Sequence, residues 1–255
     1  MSNHPTPAAH PQPLRSDGAE ARARLLEAAL TLFAEKGFAK TSTREIAQAA
    51  QVNIASISYY FGDKAGLYRA VWMDPRCNPD VWDPALNGQP ISLEQAITCT
   101  LRSFVEPIKQ GPLMQQCMKL HFREMLEPTG VWQEEIDTHI KPAHLALVAV
   151  ICRHLGLTEA DDAIHRLGFS IAGLGIMLHV GSDVINAVRP QLLASTDALD
   201  TYGDQLVHYA MALVDAEARR RAACPTTTQP STPSSTAPSP LSAGAPHPLP
   251  AGARH

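Results

Sequence analysis

Between Thr41 and Lys64 the chain reads TSTREIAQAAQVNIASISYYFGDK. Two short helical patterns sit a few residues apart, and a third opens at Lys64. Ser42 and Glu45 have the S-x-x-E spacing of a capping box, which predicts a helix running through Ile46, Ala47 and Ala50. After a short turn, a second helix is expected over about Ala55 to Phe61. The Gly62-Asp63 pair caps the next, which carries Leu67, Ala70 and Val71. Upstream, Leu25, Ala29, Leu32 and Phe33 recur at helical spacing from Ala19 to Lys36, where Gly37 stops the run. Asp74-Pro75 ends the fourth helix or bends it sharply.

Beyond a looser stretch at 75–91, which contains Asn87-Gly88 and Pro90, the amphipathic segments lengthen. They span about 92–110, 113–126, 131–155 (kinked at Pro142), 158–181 and 195–221. β-Branched runs with period-two alternation do not occur, so the fold class is all-α: a small N-terminal bundle of three or four helices and a larger helical domain. The expected boundaries are an N-terminal tail at 1–17, a helix–turn–helix domain at 18–75, a helical domain at 76–221 and a tail at 222–255. The last segment is rich in Pro, Ser, Thr and Ala and cannot bury enough surface to offset its ordering entropy.

The net charge of −4 is unevenly distributed. Residues 1–72 hold eight Lys/Arg and six Asp/Glu, a balance of +2; the remaining 13 basic and 19 acidic residues give −6. A local basic patch permits an anionic partner at one end. No run approaches the length of a membrane helix, and the N-terminus has no apolar signal segment. No membrane partner is expected, and the expected location is cytoplasmic. The five cysteines, Cys77, Cys99, Cys117, Cys152 and Cys224, form no CxxC pair. Their natural reading is buried thiols in a reducing compartment, with a redox-sensing cysteine as the alternative.

Two packed short helices can present one face to a major groove. That requires small or branched apolar residues inward and short hydrogen-bonding groups outward. Ile46, Ala47, Ala50, Val52, Ile57 and Phe61 meet the first condition. Asn53, Ser56, Ser58, Tyr59 and Tyr60 meet the second. Thr43 and Arg44 open the bracing helix, where free N–H groups favour a phosphate, and Lys64 stands similarly at the following helix. On spacing alone, a surface hairpin without DNA remains an equal reading.

The stretch ARLLEAALTLFAEKGFAKTSTREIAQAAQVNIASISYYFGDKAGLYRAV resembles the N-terminal domain of the TetR family of transcriptional regulators. The resemblance implies a homodimeric one-component regulator whose N-terminal domains bind a palindromic operator in double-stranded DNA. It also implies a C-terminal domain that binds a small-molecule effector and then releases the DNA. By position, Thr43, Tyr60 and Lys64 would hold phosphates, and Arg44, Asn53, Ala55, Ser58 and Tyr59 would approach bases or sugar-phosphate. Ile54, Ala55 and Ser58 depart from residues common in relatives, which shifts base readout toward Arg44, Tyr59 and apolar contact with thymine methyls.

The stretch HFREMLEPTGVWQEEIDTHIKPAHLALVAVICRHLG is similar to the C-terminal domain of the CecR/CerR-like branch, whose targets are often transport or efflux genes. His121, Arg123, Glu124 and His179 are the candidate effector-binding residues; a structural salt bridge is the other reading for Arg123. The scattered histidines leave a metal site across helices as an alternative to surface or core roles. No cofactor is expected.

Gly168, Ala172 and Gly175 share one helical face. A glycine inside a helix costs about 1 kcal/mol relative to alanine, so this face needs a packing reason. The resemblance places it in a four-helix dimer interface built from 158–181 and 195–217; close packing within one subunit is the alternative. No nucleophile motif, phosphate loop or metal signature points to an enzyme. A DNA-binding scaffold controlled by a protein partner is the competing function.

Overall fold

The computed structural model describes residues 16–77 and 91–223. Most of each expected tail, most of the 75–91 stretch and Cys224 lie outside the described residues. Among those described there are helices and no strands. The first four are α1 (Ser16–Lys40), α2 (Thr43–Ala49), α3 (Ala55–Phe61) and α4 (Lys64–Trp72). The larger set is α5 (Leu93–Lys109), α6 (Pro112–Leu126), α7 (Val131–Glu135), α8 (Lys141–Leu155), α9 (Asp162–Val180), α10 (Ser182–Val188) and α11 (Thr196–Ala223).

The ends follow local chemistry. Ser42 and Glu45 close a reciprocal capping box at α2, and Asp63 caps α4 by accepting from the Gly66 N–H. At the expected kink near Pro142, α7 passes into α8 through a π-helical turn, Ile136–Ile140, and Pro142 follows directly in the first turn of α8. Helix α9 starts at Asp162 rather than near 158, because the Asp161 side chain caps it. Both outer helices run past their expected limits, α1 from Ser16 and α11 to Ala223. The α11 end is held by Arg221, which pairs with Asp161 at 2.7 Å and with Glu217. That pairing, Arg221 foremost, holds the Asp161 carboxyl down to about 2.

Two apolar cores divide the molecule, and they do not divide where the chain does. One joins α5, α8, α9 and α11 through Ile97, Leu101, Ile151, Ile164, Ile171 and Leu206. The other centres on Leu25, Phe33, Ile46, Ile57 and Leu67 of α1–α4, but it also takes in Met114, Cys117 and Leu120 of α6 and Val131 of α7. Helix α6 therefore supplies one wall of the N-terminal core. Helix α9 has a mean hydropathy of 1.4 over its best window, enough by length and composition alone to cross a bilayer. Its inward face instead packs on α5, α8 and α11. Arg102 and Lys109 of α5 clamp α11 through Asp200, with Arg102 also reaching Asp204 at 2.7 Å.

Two expectations meet different packing. Gly168 and Gly175 are buried against neighbouring helices of their own chain. A Cβ on Gly168 would meet His144 at 3.0 Å, and one on Gly175 would meet the Phe104 ring at 2.3 Å. These glycines let α8 and α5 approach α9 inside one chain, and Ala172 beside them is half-buried. The outward residues of α9 include Phe169, Gly173, Met177 and Val180, with Arg166 and Ser170 also exposed. The cysteines are not all free either: Cys77 and Cys117 form a disulfide.

Gly175→Leu is expected to act as a core-overpacking change. It should cost about 1–3 kcal/mol and lower Tm by roughly 2–12 °C in a thermal melt, with the lesion inside the protomer. An unchanged Tm would return this face to an interface.

Candidate nucleic-acid interface and its clamp to the helical domain

Helix α3 has seven residues, too few to stand alone in water. It is held by Ile57, which is buried with Ile46 and Ala47 of α2. Anchoring one face leaves the other to solvent. Tyr59 is 81% exposed and Ile54 49%; Asn53, Ala55 and Ser58 are exposed too, with Arg44 on α2. Thr43, Ser56, Tyr60 and Lys64 are half-buried along the margin. The turn before α3 is tightened by Gln51, a non-glycine residue with φ 56°.

Several predicted DNA contacts have a prior task. The Asn53 Oδ1 accepts from the Ala55 N–H at 2.9 Å at the start of α3, which leaves its amide NH2 uncommitted by that bond. Tyr59 and Tyr60 meet edge to face at 4.9 Å. The Lys64 ammonium lies 4.3 Å from the Phe38 ring centroid, a cation–π contact that fixes where the charge points. Ile54, which departs from the polar residue common in relatives, is exposed at the head of α3.

The predicted effector residues divide. Arg123 and Glu124 are both engaged in joining the domains. Arg123 donates to the carbonyls of Ala34 (3.3 Å) and Glu35 (3.1 Å) just before the break at Gly37 in α1, and pairs with Glu127 at 3.4 Å. The chain makes room for it at Gly37 (φ 79°), where a Cβ would sit 2.9 Å from Glu127 and 3.3 Å from Arg123. Glu124 is 0% exposed. Its Oε2 accepts from the Tyr68 hydroxyl of α4 at 2.6 Å, and its Oε1 from the Thr129 N–H at 2.6 Å and hydroxyl at 3.1 Å. Burial first, then the Glu124 contact, pushes the Tyr68 hydroxyl far above its ordinary value, so it remains a donor. Arg123, Glu124, Glu127 and Thr129 thus act as one clamp. Tyr68, its partner on α4, was missed in the sequence because nothing marks a buried tyrosine as half of a distant pair.

His121 is carried by α6 itself and His179 by α9. The His121 ring stacks on Trp72 of α4 at 4.6 Å, with its Nε2 3.5 Å from Glu135. Glu135 also holds His139 at 3.1 Å, the residue carried by the π-helical turn. Burial alone would raise the Glu135 carboxyl, but His121 and then His139 hold it below its usual value. His179 shares a hydrogen bond of 2.8 Å with the Phe104 carbonyl and stacks on Phe122 at 4.7 Å. Burial lowers its basicity, which favours the neutral ring. A separate cleft of about 250 Å³ opens between α4 and the start of α7, lined by Phe38, Tyr68, Arg69, Thr129 and Glu134 among others. None of the four predicted effector residues lines it.

Residues 25–71 match the family described as bacterial regulatory proteins, tetR family. Residues 93–216 match the C-terminal domain of the HTH-type transcriptional dual regulator CecR. The CecR protein of Shigella flexneri is 28% identical over 179 residues, covering 66% of this chain and 79% of that protein. An HTH-type regulator of Burkholderia mallei, BetI, is 28% identical over 191 residues, 73% of this chain and 93% of that protein. The probable regulator YttP of Bacillus subtilis is 57% identical, over 44 residues only, 17% of this chain and 21% of that protein. Among solved structures, the SmeT–triclosan complex shares the fold at a TM-score of 0.50 and 20% identity, covering 75% of this chain and 90% of that one. The two matched regions flank the α4–α6 joint, and the chain belongs to the TetR family of bacterial transcriptional regulators, in the branch that carries the CecR-type C-terminal domain.

Proposed function

We propose that this regulator is a cytoplasmic homodimeric repressor that binds a palindromic operator through α2 and α3 and is released by a small-molecule effector. The exposed face of α3 carries this reading: a short helix pinned by Ile57 presents Ile54, Ala55, Ser58 and Tyr59 outward, with Arg44 and Lys64 at its margin. Arg44 and Tyr59 are the proposed base readers, and Ile54 and Ala55 the surface for thymine methyls. Thr43, Tyr60 and Lys64 are the proposed phosphate contacts, with Ser56 and the Asn53 amide beside them.

The proposed dimer surface moves to the outward side of α9 and α11, where Phe169, Met177, Tyr209 and Leu213 are exposed. The effector is proposed to bind beside α6, with His121 and His179 as its polar contacts. A shift of α6 would then reach α4 through Glu124 and Tyr68. Kinship with the CecR branch makes transport and efflux genes the proposed targets.

The test is selection of bound sites from random duplex DNA by the purified protein. An inverted repeat is expected; recovery of nothing above background at low salt, or of sites without symmetry, would overturn the dimeric operator.

Two variant sets check the assigned surfaces. Lys64→Ala and Tyr60→Phe should weaken binding on all sequences alike, and Lys64→Ala should reduce the salt slope of log K by about 1. Unchanged affinity for both would move the phosphate contacts elsewhere. Tyr209→Glu combined with Leu213→Glu should shift the protein to monomer in sedimentation while leaving its helical content intact; an unshifted dimer would place the interface on another face.

A further inference from the structure

Helices α4 and α6 are joined twice. The first joint is the Tyr68–Glu124 hydrogen bond. The second is covalent: Cys77, in the turn after α4, is bonded to Cys117 of α6, their Cα atoms 5.2 Å apart and 40 residues apart in sequence. The turn that presents Cys77 is ordered by its own bonds. The Cys77 N–H donates to the Asp74 carbonyl at 2.8 Å, and Arg76 grips the Asp74 carboxylate at 2.7 Å. Cys117 is 5% exposed, within the N-terminal core, on the helix that bears Glu124 seven residues on. Cys77 is half-buried.

We propose that Cys77 and Cys117 form a reversible thiol–disulfide site that sets how firmly the DNA-binding helices are held to α6, with a small hydroperoxide as oxidant. This rests on the DNA-binding reading. Duplex DNA in a bacterial cell lies where thiol buffers keep structural disulfides rare, so a disulfide there is transient and redox-sensing.

The chemistry needs one accessible and one resolving thiol. The Cys77 thiolate attacks hydrogen peroxide, the O–O bond breaks, and a sulfenic acid and hydroxide form. The Cys117 thiolate then attacks the Cys77 sulfur; the S–S bond forms and the sulfenic oxygen leaves as hydroxide. The two thiol protons convert both hydroxides to water. Two thiols and one peroxide thus give one disulfide and two waters, and two monothiols of the glutathione class reverse the bond. The remaining described cysteines are unsuited to the role. Neither Cys99 nor Cys152 is in a disulfide, so neither has a second thiol placed to resolve a sulfenic acid.

The experiment uses the full chain, reduced and then exposed to hydrogen peroxide. It reads the Cys77–Cys117 peptide by alkylation and mass spectrometry, Tm by melting, and affinity for a selected operator. The expected result is a bond that forms with peroxide and is lost in a reducing glutathione buffer. Operator affinity should differ about 5- to 150-fold between the two forms, with one constant affinity in Cys77→Ala and in Cys117→Ala. A bond that survives reducing glutathione, that never forms, or that leaves affinity unchanged would overturn the proposal. Should neither form bind any duplex, the DNA reading alone fails: a bond that cycles and shifts Tm still supports the redox site, and one that does not cycle overturns it.

Discussion

A single carboxylate, Glu124, is sealed from solvent where the two domains meet. A buried charge is tolerable only when hydrogen-bonded on every side. Here Tyr68 satisfies one oxygen from the DNA-binding domain, and Thr129 satisfies the other from the loop after α6. Pulling α4 from α6 would strip the first partner and leave the charge unmet. The joint is therefore stiff in one geometry and costly to open partway. Arg123 adds a second restraint, because its donors reach the carbonyls just before the break at Gly37 in α1. Gly37 leaves the space that this arginine requires.

Stiffness at that joint matters because α3, the proposed reading helix, has little stability of its own. Helix α3 is one of the shortest elements in the chain and depends on Ile57 reaching the core shared with α1, α2 and α4. That core is closed on another side by Met114, Cys117 and Leu120 of α6. The surface proposed to meet DNA is thus carried on a core that includes part of the helical domain. A displacement of α6 would be felt by packing, by the Glu124 hydrogen bonds and by the Cys77–Cys117 bond together.

The parts of this arrangement legible in the sequence are those set by neighbours along the chain. The capping box at Ser42 and Glu45, the turn at Gly62-Asp63 and the period of α5 and α6 depend on residues within a turn or two, and they stand where the pattern put them. What escaped depends on distant partners. Gly168 and Gly175 showed that some helix must come close, but only the fold shows that Phe104 and His144 fill the space. Arg123 and Glu124 showed charge on α6 without showing that Ala34, Glu35 and Tyr68 await it. Cys77 and Cys117 lie 40 positions apart, and no spacing rule pairs them. The short helix α10 was hidden in the run between α9 and α11.

The most direct measurement of the interdomain clamp is a double-mutant cycle on Tyr68→Phe and Glu124→Gln, read by denaturant unfolding and by affinity for the selected operator. The account predicts that the two changes couple, by more than about 0.5 kcal/mol in stability, and that either alone alters operator affinity although neither side chain faces the DNA. Additive effects on stability, with operator affinity untouched, would contradict the clamp and leave Glu124 as a buried charge serving its own domain alone.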